Sequence, residues 1–569
     1  MVRKSKKVSL ADLVLPSEYA LSKPHGLAAH PKDFDWVEKN IPCQAACPAG
    51  TDIPGYLEAI TKGDYQEAYR INLRDNVFPA VLGRVCTRPC EPACRHGWEG
   101  LGDPVAICFA KRSADDFLQH DVPVTLPSVF PASGKSVAII GGGAAGLTVA
   151  RELCLWGHNV TVYERHERAG GMIEQGIPEF RLPRDIVQRE VQQIEIQGVK
   201  IKTRVEVDAA KLSALRSTHD AVAITTGTIS PHLPDLPGID LPHVRHGIDF
   251  LREVNNGKEP ETPRHVAVIG GGFTAVDCAR MARRLGADDV CMYYRRSEKE
   301  MYITETELEE FTKEGVGHNF MTTPIKFTER GVQFARTQFT GKTLENIPGS
   351  EFEVEADLVL LGTGQGTDES WLPEDRTGLF FAGDFVNGPE SLIDAIGHGK
   401  QVAREIDRAL MGTDRFQDVV DITSVRKATT DRTREMDTLP RENMPEISPG
   451  DRSLRAEVEC GLSKDAADRE ASRCYLCNYK FEIDNDLCIY CDRCLKVMPV
   501  ENCIVKASHL NHDDMGRITG FDASESHRDY NMLYLDQNEC IRCGACVEVC
   551  PVDCITLQKV TSVTVPRAH

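Results

Sequence analysis

Residues 137–167 read VAIIGGGAAGLTVARELCLWGHNVTVYERHE. Four apolar residues, a glycine-rich turn, a helix-length stretch and a second β-branched run ending in an acid follow one another. That is the order of a strand–turn–helix–strand unit in a parallel sheet. Gly141, Gly143 and Gly146 occupy the turn. Glycine is needed where the chain turns tightly, where the backbone must approach a pyrophosphate, and where the helix packs close on the strand. The free N–H groups at the start of the helix then face the phosphates. Glu164 stands 18 residues beyond Gly146, at the end of the next strand, where a carboxylate can accept both ribose hydroxyls. A dinucleotide site is predicted here.

The unit occurs twice. Residues 266–298, VAVIGGGFTAVDCARMARRLGADDVCMYYRRSE, begin 129 residues after the first copy. The spacing indicates two related domains rather than a short-period solenoid. Gly270 and Gly272 are kept, Thr274 opens the helix, and Ala275 stands in the third glycine position, which the fingerprint allows. Tyr294 falls opposite Glu164, and Arg295 and Arg296 follow it. Loss of the acid removes repulsion against a 2′-phosphate, and two adjacent guanidiniums can clamp one, which favours NADPH over NADH. The alternative is an ordinary solvated arginine pair at a strand end.

Working outward, 569 residues provide for several domains. Sixty-six basic against 86 acidic side chains leave a formal charge of −20, and the pI is near 5.4. Nucleic acid and anionic membranes reward clustered Lys and Arg, so neither is expected as the main partner. The opening MVRKSKKVSL is basic but is not followed by an apolar core and cleavage site, so no secretory signal is expected. No run approaches 18 apolar residues, mean hydropathy is −0.30, and a cytoplasmic protein without a membrane segment is expected.

The 21 cysteines fall into two groups. Cys43, Cys47, Cys86, Cys90 and Cys94 form the first. Cys474, Cys477, Cys488, Cys491, Cys494, Cys503, Cys540, Cys543, Cys546, Cys550 and Cys554 form the second. Cys108, Cys154, Cys278, Cys291 and Cys460 stand apart and read as small buried hydrophobes. Nothing argues for an oxidising compartment, so both groups are expected to bind metal. In 540–555, CIRCGACVEVCPVDCI, the residues Cys540, Cys543, Cys546 and Cys550 match the bacterial ferredoxin run, with Pro551 in place. The partner half, CIYCDRCLKVMPVENCI at 488–504, supplies Cys488, Cys491 and Cys494 but has Met498 in the fourth position. By the usual swap, Cys550 completes the Cys488 cluster, and the Cys540 cluster lacks a thiolate. Cys503 is one candidate for it, and Cys474 and Cys477 are another source; a three-iron or site-differentiated cluster is a third reading.

Residues 167–184, ERAGGMIEQGIPEFRLPR, and 378–403, GLFFAGDFVNGPESLIDAIGHGKQVA, together with the two copies, resemble the two-dinucleotide-domain flavoproteins. The resemblance implies FAD in the first site and a nicotinamide cofactor in the second. It implies that Asp384, after Gly383, hydrogen-bonds the ribityl-phosphate region of the flavin. DAVAITTG (220–227) and DLVLLGTGQ (357–365) are then the returning strands, ending at Gly227 and Gly364. Ala145, Arg165, Gly171, Met172 and Arg181 complete the candidate cofactor contacts. Hydride passes directly between nicotinamide and flavin, so no catalytic acid or base is expected. Cys278 and Cys291 lack the spacing of a redox dithiol, so the electrons are expected to leave through the cysteine groups.

With PCQAACPAGTDIPGYL (42–57) and GRVCTRPCEPACRHG (83–97), the resemblance narrows to the glutamate synthase small-subunit family. It extends to the N-terminal half of dihydropyrimidine dehydrogenase and the flavin subunit of NADH-dependent ferredoxin:NADP oxidoreductase. Relatives with two N-terminal clusters carry an extra cysteine pair where this chain has DFDWVEKNI (33–41). One N-terminal [4Fe–4S] cluster is therefore expected, on Cys47, Cys86 and Cys90 by resemblance, with Cys94 or Cys43 as fourth ligand; a zinc site is the alternative. The expectation for the whole chain is a multidomain α/β protein. It comprises a helical iron–sulfur domain (1–130), an FAD domain in two parts (131–240 and 351–410) around an NAD(P)H domain (241–350), a linker (411–470) and an α+β ferredoxin-like domain (471–569). About three clusters, FAD and NADPH, or NADH, are implied. So is a hetero-oligomer with a catalytic subunit such as the glutamate synthase large subunit, a 2-oxoacid oxidoreductase or a hydrogenase or dehydrogenase module. The other readings are a stand-alone NAD(P)H:ferredoxin oxidoreductase, with or without bifurcation, and a non-catalytic scaffold.

Overall fold

A computed structural model describes residues 34–567 except 99, 121–122, 259, 261–262, 302, 304, 426–432, 515–517, 525 and 527–528. The basic opening stretch and part of the charged text after 425 lie outside the described residues. The two sequence copies fold into two five-stranded parallel sheets of matching order. In the first, Leu379–Phe381, Ala221–Ile224, Ser136–Ile140, Asn159–Tyr163 and Lys200–Lys202 lie side by side. In the second the order is Val244–His246, Leu358–Leu361, His265–Ile269, Asp289–Tyr293 and Gly317–Asn319. Both glycine strands sit at the centre, so both turns open at the carboxyl ends of the strands, where such sheets bind ligands. An antiparallel sheet, Thr322–Thr328, Gly331–Thr340, Thr343–Asn346 and Phe352–Glu355, is inserted in the second unit.

The N-terminal part is helical: Phe34–Asn40, Ile53–Thr61, Tyr65–Asp75, Pro79–Val85 and Ile107–Asp116 are its longer helices. Asp52 and Asp64 cap two of them by accepting the Gly55 and Glu67 N–H groups at 3.0 and 2.9 Å, each contributing about 1 kcal/mol. Gly83 decides how two others pack. A Cβ there would stand 2.7 Å from Arg112 Cα, so only glycine lets Pro79–Val85 lie directly on Ile107–Asp116. Val81, Leu82, Ala110 and Ala114 fill that contact in a core continuous with Val137, Leu147 and Val162 of the first sheet unit. The N-terminal and first dinucleotide units are therefore built on one apolar interior.

Residues 411–470, expected to be a linker, are more than that. Phe416–Val425 forms an edge strand along Ile555–Pro566, which pairs on its other side with Tyr479–Ile483. Cross-strand pairing over ten residues outweighs the polar composition that made the stretch read as a connector. Further on, Glu457 pairs with Arg84 at 2.8 Å and Arg112 at 3.0 Å, and Arg452 pairs with Glu314 at 2.6 Å. The segment thus straps the helical unit to the second sheet unit. Helix Lys464–Ser472 then packs on the N-terminal helices. In the last part, Ile518–Ala523, Ile504–His512 and Met532–Leu535 form a second three-stranded sheet beside the cysteine loops.

Candidate functional site

Both glycine turns open into one cavity of about 1780 Å³. Gly141, Gly143, Ala145, Glu164, Arg165, Gly171, Met172, Arg181, Gly227 and Asp384 line it from the first unit. Gly270, Gly272, Thr274, Arg295, Arg296 and Gly364 line it from the second. Gly146, Ala275 and Gly383 do not reach it; they are packing positions behind its wall. At Gly146 a Cβ would meet Gly141 O at 2.1 Å, and Gly141 itself is held at φ +107°. Glycine at these two positions lets the helix start pack directly against the strand ends, the close approach that a dinucleotide turn requires. Thr225 Oγ1 fixes the strand ends by donating to Ile140 O and Gly141 O at 3.0 and 2.9 Å.

Glu164 is buried and accepts the Gly142 and His166 N–H groups, both at 2.8 Å, which aims its carboxylate across the turn. In the second copy, the Tyr294 ring lies over Gly271, and its hydroxyl donates to Glu300 O at 2.7 Å. The space of an acid is thus taken by a neutral ring. Arg295 is exposed and Arg296 half-buried on the cavity wall. Arg181, expected as a cofactor contact, lines the cavity but spends its guanidinium on Asp277 at 2.9 Å and Glu307 at 2.5 Å. It therefore ties the first unit to the second. Burial pushes the Asp384 carboxyl up to about 6, with Glu390 and Asp394 adding to the effect.

Val85 and Thr87, which no motif singled out, also line the cavity. They flank Cys86, so the first cysteine group begins at the wall of the dinucleotide cleft. The five N-terminal thiols, expected to serve one cluster, fall into two sets. Cys47, Cys86 and Cys90 surround the buried Lys111 together with Cys108. Burial disfavours that ammonium, but the thiols, Cys108 first, outweigh it and raise its pKa. Cys108 was expected to be an isolated packing residue. It is buried, but its thiol contacts those of Cys86 and Cys90. The physical reason is the glycine-permitted approach at Gly83, which brings the C-cap of one helix to the start of the other. Cys43 and Cys94 turn away and face Cys474 and Cys477; burial pushes the Cys43 thiol well up, and those three neighbours push it further.

In the last domain, Cys488, Cys491, Cys494 and Cys550 line one small cavity with Cys554. Cys550 and Cys554 are 3.5 Å apart, and Cys554 also contacts Cys488. Cys503 lies against Cys540 and Cys543; burial pushes its thiol up to about 12, with those two adding. Cys546 shares the same neighbours. A backbone device recurs at the loops. Tyr490 and Arg542 are held at φ +51° and +62°, and their N–H groups donate to Cys488 Sγ and Cys540 Sγ, each at 3.4 Å. A non-glycine residue in that region costs roughly 1–2 kcal/mol, a strain tolerated where the geometry serves a site. Donors aimed at sulfur suit ligated thiolates. Among the described residues, no three Cys, His, Asp or Glu side chains gather tightly enough for a single ion. All-sulfur donor sets are the chemistry by which thiolates hold iron–sulfur clusters.

These features define a flavin- and nicotinamide-binding oxidoreductase with iron–sulfur domains at both ends. Residues 135–387 match the pyridine nucleotide-disulphide oxidoreductase family, 38–122 the dihydropyrimidine dehydrogenase domain II, 4Fe-4S cluster, and 533–556 the 4Fe-4S binding domain. The NADPH-Fe(3+) oxidoreductase subunit beta of Geobacter sulfurreducens is 32% identical over 508 residues, covering 77% of this chain and 75% of that one. The glutamate synthase (NADPH) small chain of Azospirillum brasilense is 33% identical over 411 residues, covering 64% and 85%. That of Mycobacterium tuberculosis is 31% identical over 429 residues, covering 65% and 86%. The chain belongs to the glutamate synthase small-chain-like family of FAD-dependent NAD(P)H oxidoreductases. Among the described residues no helix is long and apolar enough to cross a membrane.

Proposed function

We propose that the chain is the electron-transfer subunit of a larger oxidoreductase. On this reading it moves electrons between NADPH and a catalytic partner by way of FAD, the N-terminal centres and the ferredoxin-like domain. One observation carries the reading: both dinucleotide turns open into a single cavity whose wall includes Val85 and Thr87, either side of Cys86. When bound, a flavin supplies the conversion between a two-electron hydride donor and one-electron carriers.

The chain's own residues do the rest. The Gly141–Gly146 turn and Glu164 hold one dinucleotide, and the Gly270 turn with Arg295 and Arg296 holds the other. Arg181, paired with Asp277 and Glu307, keeps the two units in register. Orientation of this kind is what a direct hydride transfer asks of the protein. At the far end, Leu487, Ile489 and Val552 are exposed around Cys488, Cys491 and Cys550. An apolar rim at the outermost thiol set supports electron exchange with a docked protein there.

Initial rates of NADPH and NADH oxidation by the purified full chain, with a one-electron dye as acceptor, test the reading. NADPH is expected to be the better donor; no oxidation of either would overturn the proposal, and equal use of NADH would overturn the clamp. A second chain retained in fixed stoichiometry through anaerobic purification supports a subunit. Full-rate transfer to free ferredoxin by the chain alone supports the stand-alone alternative instead.

A further inference from the structure

The loop Cys474-Tyr475-Leu476-Cys477 ends helix Lys464–Ser472, more than 300 residues after the N-terminal domain closes, yet it is docked on that domain. Glu470 accepts the Ala106 and Glu442 N–H groups, each at 2.6 Å. Arg473 donates to Asp103 O at 2.6 Å and Pro104 O at 3.2 Å. The rings of His96 and Tyr475 stack at 4.8 Å, which sets Cys94 beside Cys474. The thiols of Cys43, Cys94, Cys474 and Cys477 face one another as a result, and three of the four residues are buried. No cysteine is in a disulfide.

The loop also carries the backbone device of the ferredoxin loops. Leu476 is held at φ +50°, and its N–H donates to Cys474 Sγ at 3.4 Å. The match is with Tyr490 on Cys488 and Arg542 on Cys540, both at 3.4 Å. Arg88, at φ +61°, does the same for Cys86 at 3.4 Å. A leucine has no reason of its own to adopt that conformation; pointing its amide at a ligated sulfur supplies one.

The site's position is equally specific. On one side Cys43 and Cys94 lie one turn from Cys47 and Cys90 of the set nearest the dinucleotide cavity. On the other, Arg95 lies beside both Cys477 and Cys540, and its guanidinium donates to Cys540 O at 2.6 Å. Cys540 belongs to the set with Cys543, Cys546 and Cys503, and Cys494 of the outermost set is the neighbour of Cys503 and Cys546.

We propose that Cys43, Cys94, Cys474 and Cys477 hold a [4Fe–4S] cluster assembled from distant parts of the chain, distinct from a second one on Cys47, Cys86, Cys90 and Cys108. With the two sets of the ferredoxin domain, the chain then carries four clusters in one row, and this one is the bridge between the flavin side and the ferredoxin domain. The metal site is argued independently of the function proposed above, on which only its role as a bridge rests.

The test is the metal content of the full chain, purified and reconstituted anaerobically, with iron, acid-labile sulfide and zinc measured per chain. The wild type is expected to hold about 16 iron and 16 sulfide, and the C474S/C477S variant about 12 of each. Reduced samples of the variant should also lack one cluster's share of the EPR signal. A wild-type count near 12, about one zinc per chain, or an unchanged count in the variant would each overturn the proposal. If the double variant does not fold, the wild-type count decides, and Cys43→Ser repeats the comparison. Bleaching of the flavin by NADPH is read on separate samples, so the two results are independent. Bleaching of the flavin by NADPH with an unchanged iron count sinks this inference alone; a full count without bleaching sinks only the proposed function.

Discussion

Arg95 and Arg542, buried side by side, share the same acceptors: both donate to Gln537 O, Cys540 O and Asn40 Oδ1. Neither makes an ion pair with a carboxylate among the described residues. Burial pulls the Arg95 guanidinium down to about 10, and Arg542 pulls in the same direction, opposed by Cys477 and Cys540. Two adjacent cations away from water call for negative charge nearby, and the clusters proposed on either side, at Cys477 and at Cys540, would supply it. Arg95→Met should therefore lower the midpoint potentials of the two centres it separates, on the order of 60 mV for a tenfold shift in a one-electron equilibrium. EPR-monitored redox titration reads this directly; unchanged potentials would mean the charge is not felt at the clusters.

Replacing both Arg295 and Arg296 by Ala removes charge-assisted hydrogen bonds worth about 1.5–3 kcal/mol each. The kcat/KM for NADPH should fall by roughly 100-fold or more, while that for NADH changes little. Equal losses with both nucleotides would show that the pair supports the fold rather than the 2′-phosphate.

Cys503 and Cys554 occupy like places in the two halves of the ferredoxin domain, after Asn502 and Asp553 at φ +66° and +49°. Their surroundings separate them. Cys503 faces Cys540 and Cys543, the set expected from Met498 to be one thiolate short, whereas Cys554 faces Cys550 and Cys488. Cys503→Ser should lose one cluster or convert it to a three-iron form, visible by EPR of the oxidised protein. Cys554→Ser should keep the wild-type iron content. The reverse pattern would assign the ligands the other way.

Asp384 stands at the start of a short helix on the cavity wall, its carboxyl pushed up to about 6 by burial. The carboxylate accepts a hydrogen bond from the flavin more strongly than the protonated acid does. FAD affinity should then rise with pH up to about 6 and level off above it. Below, it should lose at most tenfold per pH unit, one proton being released on binding. Equilibrium dialysis of FAD against the apoprotein across this range checks it, and Asp384→Asn should remove the slope.

What could be read from the residues depended on how far apart the partners lie. The glycine turns, Glu164 and the run from Cys540 to Pro551 are local patterns whose chemistry is set within some 30 residues. Cys108 offered no such pattern. Its place beside Cys86 and Cys90 follows from the helix contact that Gly83 permits, a tertiary fact. The pair Cys474 and Cys477 was legible as a thiol pair, but its assignment depends on Glu470 and Arg473 anchoring the loop to residues 103–106. The edge strand Phe416–Val425 was hidden by its polar faces, because its pairing with Ile555–Pro566 lies more than 100 residues away.

On the proposed function, electrons from NADPH cross the flavin and reach the ferredoxin domain through the thiol-held centres. An anaerobic titration of the iron-replete full chain with NADPH, following flavin absorbance and cluster EPR together, tests it most directly. The flavin is expected to bleach and cluster signals to appear in step with it, including those lost in the Cys503→Ser variant. Flavin reduction with every cluster left oxidised, at NADPH in excess, would contradict it.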